Sequence, residues 1–449
     1  MAKIDFVSRW FDLHNNGTDV KTESIAGITS FMACMYVIVA NPTILSKAGM
    51  PFNAVLTATV LVSALTSIFM GIYSKNPIVV APGMSINTLF AYTAVKVHGL
   101  SWETALGCVF WSGILYLILS IIDRRIKVFI KIPRILRFGV AGGIGLVIAL
   151  IGLKAAGFII PSGLDGLGIG RLNLTTITFI VGLLITAVLV VKKVTGSFII
   201  GIIITTILAA PIGRFWGDAS AINFGNSTLV NWNGWFALPD FSLIFRLDLF
   251  EALKFSYISV IFVFFFTVLF DSLGTIVGVC EAGNMIDEYG NPRNLSKSML
   301  ANGIAVALAS LLGTSPATSY IESATGVKEG GRTGLTAVVA GLLFLPFLFL
   351  SPLLSLVPAL ATAPVLVLTG VFMLKPLMYV RWERFDDVIP FFMAMFTMPF
   401  SGSITQGVIW GCLSWTVIKA LTGKWHQIPW IIWVMDIMAV LYLIDKSAI

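Results

Sequence analysis

Charge is scarce in this chain of 449 residues: Asp, Glu, Lys and Arg together make up only 11% of it. A soluble domain stays dispersed with roughly a quarter of such residues, so an ordinary soluble fold is excluded. Histidine is scarcer, and His14, His98 and His426 all fall outside the long apolar runs. No imidazole is placed to carry protons through a bilayer. Cys34, Cys108, Cys280 and Cys412 lie in or at the ends of apolar segments without paired spacing. That excludes a disulfide framework and a zinc site, and leaves them as packing residues. With no His or Cys constellation there is no nucleophile or metal centre for an intramembrane enzyme, and no cofactor is expected.

The abundance is apolar. Hydrophobic residues make up 57% of the chain, in recurring runs of about twenty, the length that crosses a bilayer core. Spans are expected near 24–45, 52–74, 76–97, 102–122, 136–158, 174–191 and 196–213. After a polar stretch, seven more follow near 254–280, 297–313, 316–330, 333–351, 358–379, 387–400 and 402–421. The net charge of +7 comes from cations set singly or in small groups between these runs, which reads as membrane topology and gives no reason to expect a nucleic-acid partner. Basic residues such as Lys75, Arg124, Arg125, Lys127, Lys131, Lys192 and Lys193 follow the even-numbered spans, placing the N-terminus in the cytoplasm.

The expected fold is an all-α polytopic membrane protein. Two blocks of seven spans have opposite orientations because seven is odd, which makes a 7+7 inverted repeat. Ile4, Phe6, Val7, Trp10 and Phe11 give segment 1–22 a greasy face suited to the membrane surface, and segment 422–449 reads as interfacial because its apolar run contains Asp436 and several Trp.

Spans three and ten are unfit to be plain helices. The third runs Ile78-Val79-Val80-Ala81-Pro82-Gly83-Met84, β-branched residues leading into a Pro-Gly break, and the tenth runs Gly313-Thr314-Ser315-Pro316-Ala317-Thr318-Ser319-Tyr320-Ile321-Glu322. Each is expected to hold a short extended piece followed by a half-helix, an arrangement that frees backbone N–H groups near the midplane. Two carboxylates, Asp271 and Glu322, fall within apolar runs. Burying either without a partner costs several kcal/mol, so a functional role is the expectation.

These stretches resemble the azaguanine-like branch of the nucleobase–cation symporter family 2, the hypoxanthine, guanine and adenine permeases. The likeness lies in Asn41-Pro42-Thr43-Ile44-Leu45, Ala81-Pro82-Gly83-Met84, Phe270-Asp271-Ser272-Leu273-Gly274-Thr275, and Tyr320-Ile321-Glu322-Ser323 through Gly330-Gly331-Arg332-Thr333-Gly334. The resemblance implies a core domain (23–122 and 249–351), a gate domain (123–213 and 352–421), an extracytoplasmic loop (214–248) and a uracil-permease-like fold. It implies an elevator-type importer of purine nucleobases driven by protons, homodimeric, in a bacterial inner membrane.

Asp271 and Glu322 match the family's essential carboxylates, either being a candidate for proton coupling. Asn87 matches its polar residue in the third span, and Thr275 stands where the uracil branch carries histidine. A purine edge, rich in N–H donors, suits a carboxylate acceptor. Phe270 and Tyr320 are candidates to cover its faces, and backbone N–H groups near Gly83 and Ile321 are candidate donors. Ser85 replaces an expected glycine and Val268 an expected aspartate, both bearing on substrate preference. The alternative, an anion carrier of the same architecture for sulfate or bicarbonate, is disfavoured because two carboxylates with no nearby cation repel an anion.

Overall fold

The computed structural model describes residues 2–126, 133–162, 166–192, 194, 197–212, 236–286, 292–350, 357–401 and 404–447. The expected loop 214–248 lies outside them up to residue 235, as do Lys127, Lys131 and Lys193. A helix Ala2–Trp10 (α1) precedes α2 (Val20–Cys34), α3 (Val37–Leu45) and α4 (Phe52–Ser74). Strand β1 (Val80–Pro82) leads into α5 (Met84–Thr88), which continues as a π-helical segment over Leu89–Val97. Then come α6 (Trp102–Ile126), α7 (Arg134–Ala155), the hairpin β2 (Ile159–Ser162) and β3 (Gly166–Ile169), α8 (Leu174–Val191) and α9 (Ser197–Ala209). The chain resumes with α10 (Phe255–Ala282), α11 (Leu295–Leu312), β4 (Ala317–Ser319), α12 (Ser323–Lys328) and α13 (Gly334–Phe344). It ends with α14 (Ala359–Met373), α15 (Phe385–Ser401), α16 (Ile404–Leu421) and α17 (Trp430–Ser447).

Eight helical stretches among the described residues are long and apolar enough to cross a membrane. They correspond to expected spans 1, 2, 4, 5, 6, 8, 9 and 12. The first is not continuous: its helix breaks at Met35-Tyr36 between α2 and α3. Spans three and ten fall short because each gives up its first turns to a strand.

The helices pack in two groups. In the first, α13 lies on α4 and α2, α11 on α6 and α4, α10 on α6, and α12 on α2. In the second, α7 packs on α14 and α15, α15 on α16, and α9 on α8 and α14. Fewer contacts join them, among them α7 with α5 and α10, and α9 with α2. Small residues allow the closest approaches, where backbones meet without intervening side chains, as at Gly145 against Gly370 and Gly71 against Gly334.

The N-terminal segment docks on the first group, and the C-terminal helix lies across both. Phe11 and Leu13 are buried with Leu335 of α13, while Phe6 and Trp10 stay exposed. The greasy face expected for residues 1–22 is thus divided between the protein's own surface and its surroundings. Helix α17 packs on α16 and α10, and its Asp436 is buried. All four cysteines are buried, and none is in a disulfide among the described residues.

Candidate functional site

Two short strands form the centre of the first group. β1 pairs antiparallel with β4 in the register Val80 with Ser319, Ala81 with Thr318 and Pro82 with Ala317. The local sequence explains why. The β-branched run 78–80 favours extended backbone, and Ser315 is held extended by the proline that follows it. Away from water every peptide group needs a partner, and here each strand supplies the other. Flanking groups complete the set: Tyr320 N–H donates to Val79 C=O (2.9 Å), Gly83 N–H to Pro316 C=O (3.0 Å) and Val79 N–H to Ser323 Oγ (2.9 Å). Ser67 on α4 both donates to Val80 C=O (3.0 Å) and accepts from its N–H (2.9 Å).

Each strand runs into a half-helix, and Glu322 is the residue immediately before α12. It is 8% exposed. Its Oε1 accepts a hydrogen bond from the Tyr36 hydroxyl (2.9 Å), and Tyr36 stands at the α2–α3 break. Tyr320, also buried, donates its hydroxyl to Pro82 C=O (2.5 Å), and its ring tilts toward that of Tyr36 at 6.4 Å. Helix α10 packs on both β4 and α12, which sets Asp271 beside Thr318 and within electrostatic range of Glu322. Among the described residues neither carboxylate makes an ion pair with Lys or Arg.

Asp271 begins a stripe of small and polar residues at helical spacing. Asp271, Gly274, Thr275 and Gly278 are partly or fully exposed on a helix whose flanking residues Phe270, Ser272, Leu273 and Ile276 are buried. Ile321 lies against Gly278, and Thr325 on α12 is exposed as well. An open face therefore runs from Asp271 toward the Ala282 end of α10.

The structure brings together Asp271, Thr275, Tyr320, Ile321 and Glu322 on two adjoining elements. It sets three other candidates apart. The Gly83 N–H is taken by Pro316, so it is not a free donor; the Ile321 N–H, by contrast, makes no backbone hydrogen bond among the described residues. Phe270 lies on the buried flank of the stripe, away from its open face. Asn87 is fully buried: its Oδ1 accepts from Ser315 Oγ, and its Nδ2 faces Met84 Sδ at 3.7 Å. Ser315 also reaches Asn41 Oδ1 (3.3 Å), whose Nδ2 donates to Thr59 (2.6 Å) and Thr314 (2.8 Å). Asn87 thus joins a polar chain that ties α3, α4 and α5 to the segment before β4. Sequence reasoning missed Tyr36, Asn41 and Thr318; only Asn41 carried a signal, as part of Asn41-Pro42-Thr43.

Comparison with known proteins places this geometry. The model of the permease family matches residues 21–409. The adenine permease AdeP of Escherichia coli is 36% identical over 445 residues, covering 98% of this chain and 97% of that one. The guanine/hypoxanthine permease PbuO of Bacillus subtilis is 34% identical over 444 residues, covering 97% and 99%. Among solved structures, the transmembrane domain of the cyanobacterial bicarbonate transporter BicA superposes with a TM-score of 0.62 at 13% identity, covering 87% of this chain and 97% of that one. SLC26A9 gives 0.61 at 13%, covering 90% and 66%. Those two likenesses concern the fold alone. A family match over residues 21–409, and these identities over nearly the whole of both relatives, establish that the chain belongs to the permease family, in the branch of the adenine and guanine/hypoxanthine permeases.

Proposed function

We propose that this protein imports purine nucleobases by proton symport. The observation that carries the reading is the pair Asp271 and Glu322, set beside the β1–β4 pair with neither carboxylate in an ion pair among the described residues. A purine is flat, largely neutral and rich in N–H donors, so a carboxylate accepts from its edge while a ring such as Tyr320 covers a face. Glu322, Tyr320, Thr275 and the N–H of Ile321 form the binding surface, and Asp271 carries the proton. With all three histidines outside the apolar runs, a carboxyl alternating between charged and neutral forms is the available proton carrier.

In this reading fourteen spans form two inverted blocks of seven. The first helix group is the core, carrying substrate past a gate made of the second in an elevator-type movement. The protein works as a homodimer in a bacterial inner membrane with its N-terminus in the cytoplasm. The sparse contact between the groups, and the open face beside Asp271, support such a movement. An anion carrier draws support from fold likeness only, while the relatives' names favour nucleobases.

Uptake of radiolabelled adenine, guanine and hypoxanthine into proteoliposomes, with and without an inward proton gradient, tests this. Gradient-driven accumulation of at least one purine is expected. Bicarbonate or sulfate uptake with no purine uptake refutes it.

A further inference from the structure

We propose that Tyr36 is a positioning residue that orients the Glu322 carboxylate for substrate and links it to the second helix group through Phe198. The inference rests on the reading of Glu322 as purine acceptor. Tyr36 is 1% exposed, and a phenol buried that deeply needs a partner for its hydroxyl. Its partner is Glu322 Oε1 at 2.9 Å, 286 residues away in sequence. With one oxygen held, the carboxylate cannot turn freely about its last torsion. Its other oxygen is then presented in a fixed direction, which removes part of the ordering cost of binding.

The same ring has a second contact. Phe198, in the first turn of α9, meets Tyr36 edge-on at 5.7 Å and packs on Phe372 of α14 at 5.8 Å. Tyr36 and Glu322 belong to the first helix group, Phe198 and Phe372 to the second. Any sliding of one group along the other must therefore break and remake the Tyr36–Phe198 contact and leave the Tyr36–Glu322 bond intact. One side chain holds the binding group on one side and touches the sliding surface on the other.

The two contacts are separable by substitution in the full-length protein. Tyr36→Phe keeps the ring and removes the hydroxyl. It is expected to weaken purine binding about tenfold, as for loss of one hydrogen bond to a charged group, with uptake at saturating purine unchanged. Phe198→Leu keeps the hydroxyl bond, and should hold affinity within about twofold while slowing saturating uptake several-fold. Binding is read by calorimetry with adenine, guanine and hypoxanthine, uptake in proteoliposomes, and folding by thermal midpoint. A Tyr36→Phe variant that binds purine like a purine-binding parent overturns this proposal and leaves the reading of Glu322 standing. Affinity, uptake and thermal midpoint falling together in both variants mark a merely structural role and overturn it too. A parent that binds no purine overturns the underlying reading and this proposal with it.

Discussion

Gly326, in the middle of α12, lies directly against the carbonyl of Ala26 and the hydroxyl of Ser30 on α2. No side chain separates the two helices at that point, so the position of α12, and of Glu322 immediately before it, is set by backbone contact. Gly326→Ala puts a methyl where that carbonyl stands. The half-helix must shift, at a cost of roughly 1 to 3 kcal/mol for overpacking. Purine affinity is expected to fall by more than tenfold, since the carboxylate moves with its helix. Calorimetry alongside thermal unfolding checks both effects; unchanged affinity would show that Glu322 is placed by something other than this contact.

Accessibility along α10 gives a second expectation. The native cysteines are buried, so their background reactivity with small aqueous thiol reagents is low. Single cysteines at Gly274, Thr275 and Thr325, on the open face, should react readily, and bound purine should slow them. A cysteine at Asn87, fully buried, should be inert. Labelling rates followed by mass spectrometry decide the matter, and equal rates at Gly274 and Asn87 would contradict the packing described.

How much of this was legible follows from the kind of signal each feature left. The extended pieces were readable because a β-branched run meets Pro82-Gly83, and because Pro316 restricts the residue before it. The carboxylates were readable because charge inside an apolar run is costly. Tyr36 was not. The break at Met35-Tyr36 contains neither proline nor glycine, while Pro42 is accommodated inside α3. Its partner lies 286 residues away, so only the fold brings the two together. A polar or flexible residue beside a break suits a ligand or the fold alike, and sequence does not separate the two; here Asn87 bonds Ser315 and the Gly83 N–H bonds Pro316.

A pH effect on stability is expected away from the membrane core. Hydrogen bonds from Lys419 (2.7 Å) and Lys424 (2.6 Å) hold the Asp386 carboxyl well below the usual range, at about 2. A carboxyl whose folded value is depressed contributes stability that is complete above its unfolded value of about 4. That contribution is lost as pH falls toward 2. Asp386→Asn should therefore be less stable than the parent above pH 4, with the gap closing between about pH 4 and 2. Thermal midpoints across that interval measure it; a gap constant with pH would assign the loss to packing around buried Lys419 instead.

The two site carboxylates are expected to differ in their response to neutral replacement. Glu322 is hydrogen-bonded by Tyr36 and stands before a half-helix, where the N-terminal dipole favours an anion, so it suits a fixed acceptor. Asp271 heads an open stripe on an otherwise buried stretch, where a proton can reach it. Glu322→Gln exchanges an acceptor oxygen for a donor and faces the purine N–H groups with another N–H. That mismatch costs roughly 1 to 3 kcal/mol in a dry site, and binding should nearly vanish. Asp271→Asn resembles the protonated aspartate. It should keep measurable binding, lose the pH dependence of that binding, and fail to accumulate purine against a gradient. Calorimetric titrations from acid to neutral pH, paired with gradient-driven uptake, separate the two roles. Binding lost in Asp271→Asn but kept and pH-independent in Glu322→Gln would exchange the assignments, and normal accumulation by both variants would place proton coupling elsewhere.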